Sequence, residues 1–285
     1  MSWEILLAIS VVLSAIPVLL QRVLLKSDHV EPISFSILFQ LGVAAVVTIL
    51  TLTLRGNISF PPLAPLGWSL LIMTITYALA NIFIFNSLKV TEASRFTVIF
   101  ASKTFFAVIA LTLFFKEGLS LQQWLGAIFI VVGVAVVYLQ KTQSQLNRGD
   151  LFALCAALMF GMANTNDRYL VEFFDPYAYV IIGFLLPGLA IALAYPRKIA
   201  YIRTYFTTTF MSKVLLLCLL YGLAAITFFA ALQLAPNSSQ VFTFNTFGAI
   251  LTVILSIIFL KERDYLAKKL LGATISLIGL ILVNK

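Results

Sequence analysis

The chain has 285 residues, of which 61% are hydrophobic and only 11% are charged, and its formal net charge is +8. Soluble globular proteins are usually about 45–50% apolar and about 25% charged, so this composition excludes an ordinary soluble domain and indicates a chain that lies mostly in lipid. In such a protein, basic residues at helix ends set the orientation against the lipid surface, so the positive charge does not indicate a nucleic-acid partner.

Ten apolar stretches follow one another along the chain, each long enough to cross a bilayer as a helix. We therefore predict an all-α integral membrane protein with ten transmembrane helices. In chain order the predicted spans are 3–25, 33–54, 66–88, 94–117, 121–139, 151–171, 176–195, 214–235, 239–262 and 267–283. The first span begins almost at Met1 without a preceding basic segment and is too long for a signal-peptide core, so we expect no cleaved leader. Pro187 and Gly188 should interrupt the seventh span.

The fourth predicted span holds one residue that is costly in lipid. It reads SRFTVIFASKTFFAVIALTLFFKE, and Lys103 lies near its middle. An ammonium group at that depth costs about 2.5–3.5 kcal/mol on insertion scales. The ninth span, SQVFTFNTFGAILTVILSIIFLKE, is a second copy at a constant offset of 145 residues, with Gly248 where the first copy has Lys103. The copy predicts a duplicated architecture, and the difference at this position indicates a site.

The repeat extends beyond these two helices. The acid-proline pair that begins at Glu31 recurs at Asp175, and glycines seven residues apart occur in both the fifth and the tenth spans. We predict two copies of a five-helix unit, residues 1–140 and 150–285, joined by the polar linker 141–149. Because five is odd, the second copy enters the membrane from the opposite face. An inverted repeat of this kind places a site between its halves near the midplane.

A family resemblance follows from one motif. A closing Lys-Glu pair, a short loop and a helix with two glycines seven residues apart occur at 116–133 and again at 261–279. With five spans in each unit, this motif resembles the EamA-type branch of the drug/metabolite transporter superfamily over essentially the whole chain. The resemblance implies a ten-helix carrier that alternates access and moves amino acids or other small metabolites. No substrate motif of the family transfers residue by residue.

One branch of that superfamily provides an alternative. The small multidrug carriers use a glutamate within their first helix, whereas the first span here has only Glu4, at its very end. This departure argues against drug-cation exchange by that mechanism, and a drug or cation exporter is kept as the alternative among transporters.

The orientation in the membrane stays open. Ten spans place four Lys and Arg residues on the side that holds both termini, fourteen on the other side, and Lys103 on neither. The positive-inside rule then puts the termini outside the cell. The family resemblance implies termini in the cytoplasm. We expect the protein in a bacterial cytoplasmic (inner) membrane as a multi-pass protein.

Lys103 has two structural explanations and two functional ones. It could extend to an interface or pair with a carboxylate, but both helix ends are about 12–18 Å away and no acidic residue lies well inside any span, Asp167 coming nearest. The functional hypothesis is that Lys103 faces a water-filled cavity and attracts a carboxylate or phosphate. A neutral Lys103 could instead carry a coupling proton.

Other polar and aromatic residues inside the spans could line the same cavity. Amides and hydroxyls both donate and accept hydrogen bonds, which suits a zwitterion or a sugar, although the same groups often only link helices. Phenylalanines could hold an apolar part of a substrate, although most pack the bundle. The candidate substrate-binding residues are Lys103, Asn164, Asn166, Asn245, Thr243, Tyr77, Asn81, Gln40, Phe100 and Phe244.

The function predicted from these features is secondary transport of a small polar metabolite, such as an amino acid or another organic molecule bearing a carboxylate or phosphate. The alternatives are an intramembrane enzyme and a non-transporting scaffold or receptor. An enzyme is disfavoured because the only histidine, His29, lies in a loop and no HExxH or GxSxG motif occurs.

The expected partners are a small-molecule substrate, the lipid bilayer and, as an option for coupling, protons. We expect no nucleic acid, no cofactor and no metal, and a monomer as the functional unit. Cys155 and Cys218 lie far apart in apolar stretches, where core packing explains them. No nucleotide-binding loop occurs in the sequence, so ATP should not drive transport directly.

Overall fold

A computed structural model of the chain describes residues 2–27, 29–115, 120–138, 147–235, 241, 245, 247–261 and 266–283. All regular elements among these residues are helices. The α-helices are α1 (Trp3–Leu25), α2 (Pro32–Arg55), α3 (Gly67–Val90), α4 (Ala93–Phe100), α5 (Lys103–Phe115), α6 (Leu121–Tyr138), α7 (Arg148–Leu170), α8 (Pro176–Ala194), α9 (Pro196–Ile202), α10 (Thr208–Leu234), α11 (Phe247–Phe259) and α12 (Leu266–Val283). Short 3₁₀ turns precede α3 and follow α9.

Five helical segments of the described chain are long and apolar enough to cross a membrane. They are Trp3–Leu25, Pro32–Arg55, Ala64–Val90, Pro176–Ala194 and Thr208–Leu234. Phe247–Phe259 is a shorter apolar helix. These lengths support the all-α membrane class, and the count of ten spans stays a prediction.

Helices α2 and α8 begin in the same way. The carboxylate of Glu31 accepts a hydrogen bond from the Ser34 amide at 2.7 Å, and that of Asp175 accepts one from the Tyr177 amide at 3.0 Å. A proline follows each cap, where its missing N–H costs nothing and its fixed φ favours the first turn. The sequence pattern shared by the two halves therefore produces the same local structure twice.

The packing of the two halves has an exchange symmetry. If α1, α2, α3 and α6 correspond to α7, α8, α10 and α12, then α3 packs on α7 just as α1 packs on α10. Helix α2 packs on its own counterpart α8, and α6 packs on its counterpart α12. This is the pattern that two copies related by a two-fold axis produce.

Two ion pairs show the relative direction of α2 and α8. Nη1 of Arg55, at the end of α2, lies 2.7 Å from Oδ2 of Asp175, at the start of α8. Nζ of Lys198, just beyond the end of α8, lies 3.1 Å from Oε1 of Glu31, at the start of α2. The end of each helix thus lies beside the start of the other, so these two corresponding helices run antiparallel.

The connectors before α2 and α8 are held by residues at matching positions. Nζ of Lys89, near the end of α3, donates to two backbone carbonyls of the α1–α2 connector, at 2.7 and 3.0 Å. Nε2 of Gln233, near the end of α10, donates to two carbonyls of the α7–α8 connector, at 2.7 and 2.5 Å. A lysine and an amide therefore satisfy the same backbone groups in the two halves.

The prediction of one continuous fourth helix over 94–117 is wrong. The chain forms α4 and then α5, with a turn at Ala101 and Ser102 between them. Ser102 bonds to the carbonyl of Ile99 twice, from its amide at 3.1 Å and from its hydroxyl at 2.7 Å. An i to i−3 bond tightens the helix locally, and the serine hydroxyl competes for the carbonyl that the α-helical pattern would use. Lys103 is consequently the first residue of α5.

The interruption expected at Pro187 and Gly188 is also wrong, because α8 is a single helix that contains Pro187. Neighbouring helices can support a proline inside a membrane helix. The eighth span begins earlier than predicted, since α10 starts at Thr208 rather than near 214.

An aromatic cluster packs the junction of α2, α3, α8 and α10. Phe39 of α2 is 1% exposed and lies in its centre. The Phe39 ring makes edge-to-face contacts with Phe85 at 5.3 Å, with Phe184 at 5.9 Å and with Tyr221 at 5.0 Å between centroids. Edge-to-face pairs stabilise packing beyond their buried area, so this cluster joins both halves of the chain.

Gly161 lets α7 approach the start of α5 closely. A Cβ atom at this position would lie 2.5 Å from the carbonyl oxygen of Lys103 and 2.8 Å from Cβ of Phe106. Small residues at helix contacts allow such close approach in lipid, where apolar burial does not drive helices together. Gly161 therefore fixes where Lys103 sits relative to α7.

We predict that Gly161→Ala lowers the free energy of unfolding by about 1–3 kcal/mol, because the added methyl group must push α5 and α7 apart. Thermal unfolding of the purified protein in detergent measures the change. Gly183→Ala in α8 is the matched control, since a Cβ there meets nothing within 4 Å. Equal effects of the two substitutions would contradict the close contact.

A second prediction concerns Glu31. Burial disfavours its charged form, but hydrogen bonds from Ser34 and the charge of Lys198 outweigh that effect, so the pKa of this carboxyl lies below its ordinary value. A lowered pKa contributes stability at neutral pH that is lost as the pH falls through the folded-state pKa. As the pH is lowered, the unfolding temperature should fall less steeply in Glu31→Gln than in the wild-type protein. The corresponding difference in the free energy of unfolding should stay within about 1 kcal/mol. Glu172→Gln, an exposed carboxylate, should keep the wild-type profile.

Candidate functional site

A cavity of about 200 Å³ lies between the two halves and is lined by residues of both. Its wall combines polar groups with aromatic rings. The polar lining residues are Ser10, Ser14, Gln40, Tyr77, Asn81, Thr97, Lys103, Asn164, Tyr179, Tyr221, Asn245 and Thr252. The phenylalanines of the wall are Phe100, Phe160, Phe184, Phe228 and Phe229.

Seven of the ten candidate residues named from the sequence line this cavity. They are Gln40, Tyr77, Asn81, Phe100, Lys103, Asn164 and Asn245. Asn166 does not, because its Nδ2 donates to the carbonyl of Ser69 at 2.8 Å and so links α7 to α3. Thr243 and Phe244 lie outside the described residues. The structure thus brings together groups from four segments in the first half and two in the second.

The ammonium group of Lys103 lies between two aromatic rings. Its Nζ is 4.9 Å from the ring centroid of Phe100 and 4.7 Å from that of Phe160. Rings within about 6 Å attract a cation through their negative faces. Among the residues that the structure describes, no carboxylate lies within 4 Å of this nitrogen. Lys103 lines the cavity, and the explanation that it pairs with a carboxylate is not observed in the described structure.

Amide groups of the wall differ in how they are held. Nδ2 of Asn81 donates to the carbonyl of Tyr77 at 2.9 Å, which fixes this amide along α3. Oε1 of Gln40 is buried and has no hydrogen-bond partner in the described part of the chain. An unsatisfied buried acceptor is costly, so a donor on a bound molecule would stabilise the wall here.

The sequence reasoning missed six aromatic residues of the wall, namely Phe160, Tyr179, Phe184, Tyr221, Phe228 and Phe229. Two of them contact charged groups. Phe160 forms an edge-to-face pair with Tyr77 at 5.2 Å and also faces Lys103. Tyr179 is 1% exposed and donates from its hydroxyl to Oδ1 of Asp167 at 2.6 Å. The only sequence signal was that Tyr179 carries a hydroxyl inside an otherwise apolar span.

Ion pairs close the packing beyond Thr97, toward the start of α4. Arg95 contacts the carboxylate of Asp150 twice, with Nε 2.7 Å from Oδ1 and Nη2 2.6 Å from Oδ2. Lys269 of α12, which is 1% exposed, pairs with Glu92. Charge-assisted bonds therefore join α7 and α12 to the start of α4.

A family model described as the EamA-like transporter family matches the chain twice, over residues 1–139 and 147–285. The chain belongs to the EamA-like transporter family. The resemblance inferred from its sequence is thereby confirmed. This is a family of transporters rather than enzymes, and together with the apolar helices it makes the EamA-like protein an integral, multi-pass membrane protein.

The fold of this EamA-like transporter has been solved before. A protein of known crystal structure is similar over 96% of this chain and 97% of its own, with 15% sequence identity and a TM-score of 0.64. At that identity the similarity shows the fold alone. The comparison with curated proteins found no match.

The buried ion pair gives a prediction for stability. The side chain of Asp150 is only 2% exposed, so Arg95→Ala would leave its carboxylate buried without this partner. We predict a loss of about 3–5 kcal/mol, measured by unfolding in detergent. Arg55→Ala is the matched control, since its pair with Asp175 is 45% and 38% exposed and should cost no more than about 1 kcal/mol. Similar losses in both variants would contradict the difference in burial.

Proposed function

We propose that this EamA-like protein is a secondary transporter that moves a small organic anion, a metabolite bearing a carboxylate or a phosphate, by alternating access to the cavity between its two repeats. One observation carries the proposal. Lys103 lines the cavity, and its ammonium group lies beside two aromatic faces with no carboxylate within 4 Å in the described structure.

The charge of the wall supports an anionic ligand. A lysine inside a membrane is costly unless water or an opposite charge reaches it. In the described residues the cavity wall contains no acidic side chain, so its formal charge is positive. A bound carboxylate or phosphate would supply the missing partner and form a charge-assisted hydrogen bond with Nζ.

The size and polarity of the cavity support a metabolite. Its volume of about 200 Å³ is small beside the roughly 300–1,000 Å³ of sites for drug-sized ligands. The amides of Asn81, Asn164 and Asn245 offer both donors and acceptors, which suits an amino acid. The phenylalanines of the wall suit an apolar side chain on the same molecule.

The architecture supports alternating access. Carriers built from inverted repeats bind their substrate near the midplane, often at a broken helix, and change access by moving one bundle against the other. The antiparallel packing of α2 on α8 and the break between α4 and α5 beside Lys103 are both features of that kind. We infer a ten-span protein of a bacterial cytoplasmic membrane that acts as a monomer.

Other functions have less support. A cation or drug exporter would bind its cargo next to a lysine, where like charges repel. An intramembrane enzyme would need an activated nucleophile in the cavity wall, whereas the hydroxyls of Ser10 and Ser14 donate to backbone carbonyls. A scaffold would gain nothing from the cost of an ammonium group at this depth.

We predict that Lys103→Ala reduces transport of an anionic substrate by about 10–100-fold, the effect of losing a charge-assisted hydrogen bond of about 1.5–3 kcal/mol. A thermal-shift screen of amino acids, organic acids and nucleotides would select the substrate. Counterflow of the labelled substrate into proteoliposomes then measures transport, and size-exclusion profiles check folding.

Two further variants sharpen that test. Lys103→Arg keeps the charge and should retain part of the transport. Lys213→Ala removes an exposed lysine of α10 and should leave counterflow unchanged. Wild-type transport by folded Lys103→Ala would disprove the role of this lysine.

A further inference from the structure

A buried carboxylate lies directly behind the cavity wall. Asp167, near the end of α7, is 1% exposed. Its Oδ1 accepts a hydrogen bond from the hydroxyl of Tyr179 at 2.6 Å, and its Oδ2 accepts one from the hydroxyl of Tyr77. Both tyrosines line the cavity, whereas Asp167 does not. The acid is thus one hydroxyl away from the space in which the proposed substrate binds.

No cation balances this acid at close range in the described structure. Asp167 is in none of the ion pairs among the described residues. Arg168, its neighbour in sequence, is exposed, and Arg95 is committed to Asp150 at the opposite end of α7. The helices around Asp167 contribute further titratable groups. They are Tyr77 of α3, Lys103 of α5, Tyr179 of α8 and Tyr221 of α10.

We propose that Asp167 is a proton-binding site of the transporter, and that its protonation releases the hydroxyl of Tyr77 to donate to an anion held at Lys103. This proposal rests on the proposed function for its second half only. The first half, a titrating carboxyl, is independent of any substrate.

The argument follows from the number of donors and acceptors. An ionised carboxylate only accepts, so both tyrosine hydroxyls must donate to it, as observed. A protonated carboxyl has its own O–H and needs one acceptor, which a tyrosine oxygen supplies. That tyrosine then no longer donates to Asp167. Tyr77 is the one that can turn to the cavity, because it is half-buried whereas Tyr179 is 1% exposed.

The proton reaches Asp167 through the same hydroxyl. Tyr77 passes its hydroxyl proton to Oδ2 while its oxygen takes a proton from a hydronium ion in the cavity, which leaves as water. One tyrosine O–H bond breaks and another forms, so the tyrosine is unchanged. The net result is one more proton on the Asp167 carboxyl and a Tyr77 hydroxyl whose O–H no longer points at that carboxyl.

This exchange links the proton to the substrate. Protonation of Asp167 adds a donor for the anion, so the anion binds more tightly when the acid is neutral. By reciprocity, the bound anion makes the acid bind its proton more tightly. The two therefore bind together and cross in the same direction, which names the proton as the coupling ion.

Infrared spectroscopy of the reconstituted protein tests the proton site without any ligand. Wild-type protein should show the C=O stretch of a protonated carboxyl that appears on acidification, and Asp167→Asn should lack it. Asp150→Asn is the matched control, because it also removes a buried aspartate and should keep the band. Absence of a titrating band, or its persistence in Asp167→Asn, would overturn the proposal. If Asp167→Asn does not fold, a shift of the band in Tyr77→Phe and in Tyr179→Phe assigns it instead.

Binding of phenylacetate at a series of pH values tests the linkage. Affinity should rise as the pH falls, by at most about tenfold per pH unit for one proton. Tyr77→Phe should lose the same part of this dependence as Asp167→Asn loses, whereas Tyr179→Phe should keep it. The dependence that remains in both Tyr77→Phe and Asp167→Asn is the contribution of groups other than Asp167, among them the ligand's own carboxyl.

The outcomes separate the two proposals. The same pH dependence in wild-type protein and in Tyr77→Phe would refute the released hydroxyl. If neither phenylacetate nor inorganic phosphate binds, the anion site at Lys103 and the linkage both fail. The infrared titration still decides, in that case, whether Asp167 takes up a proton.

Discussion

The placement of one ammonium group inside a membrane fold governs the rest of this site. Lys103 cannot be left against lipid tails, because an unpaired charge there costs several times the thermal energy. The fold meets this constraint with a cavity, with two aromatic faces beside Nζ and with amides around it. The described wall itself has no acidic side chain, so no carboxylate in direct contact competes with a substrate for the lysine.

The symmetry of the fold keeps that cavity between the halves. The corresponding helices α2 and α8 run antiparallel. One ion pair joins them at each end. The start of α4 differs, since Arg95 and Lys269 fasten it to neighbours through buried or partly buried carboxylates. The position corresponding to Arg95 in the repeat is a glutamine, which has no charge to form such a pair. The two copies therefore differ in sequence at this position, with a charge in one and an amide in the other.

Sequence reasoning could find the features that break a simple pattern. The sequence alone shows a lysine among apolar residues, a repeated stretch and amides inside the predicted spans. Seven of the ten candidate residues chosen on this basis line the cavity. The break before Lys103 was not visible, because a 3₁₀ turn leaves the apolar pattern unchanged. Asn166 was misplaced because residues two apart on a helix point in different directions, so it and Asn164 do not share a face. Phe160 was missed because the chain has 25 phenylalanines, and we expected most of them to pack the helix bundle rather than line a site.

The duplicated helix crossings show how asymmetry creates the site. In one crossing the glycine is on α7, and Gly161 makes room for the backbone of Lys103 on α5. In the other the glycine is on α11, where a Cβ at Gly248 would lie 3.6 Å from Oγ of Ser14 on α1. That distance is an ordinary van der Waals contact, so the second crossing does not require a glycine as the first one does. A charge in both copies would place two ammonium groups in one small cavity, where each would raise the cost of the other. One lysine opposite one glycine leaves room for a single anion.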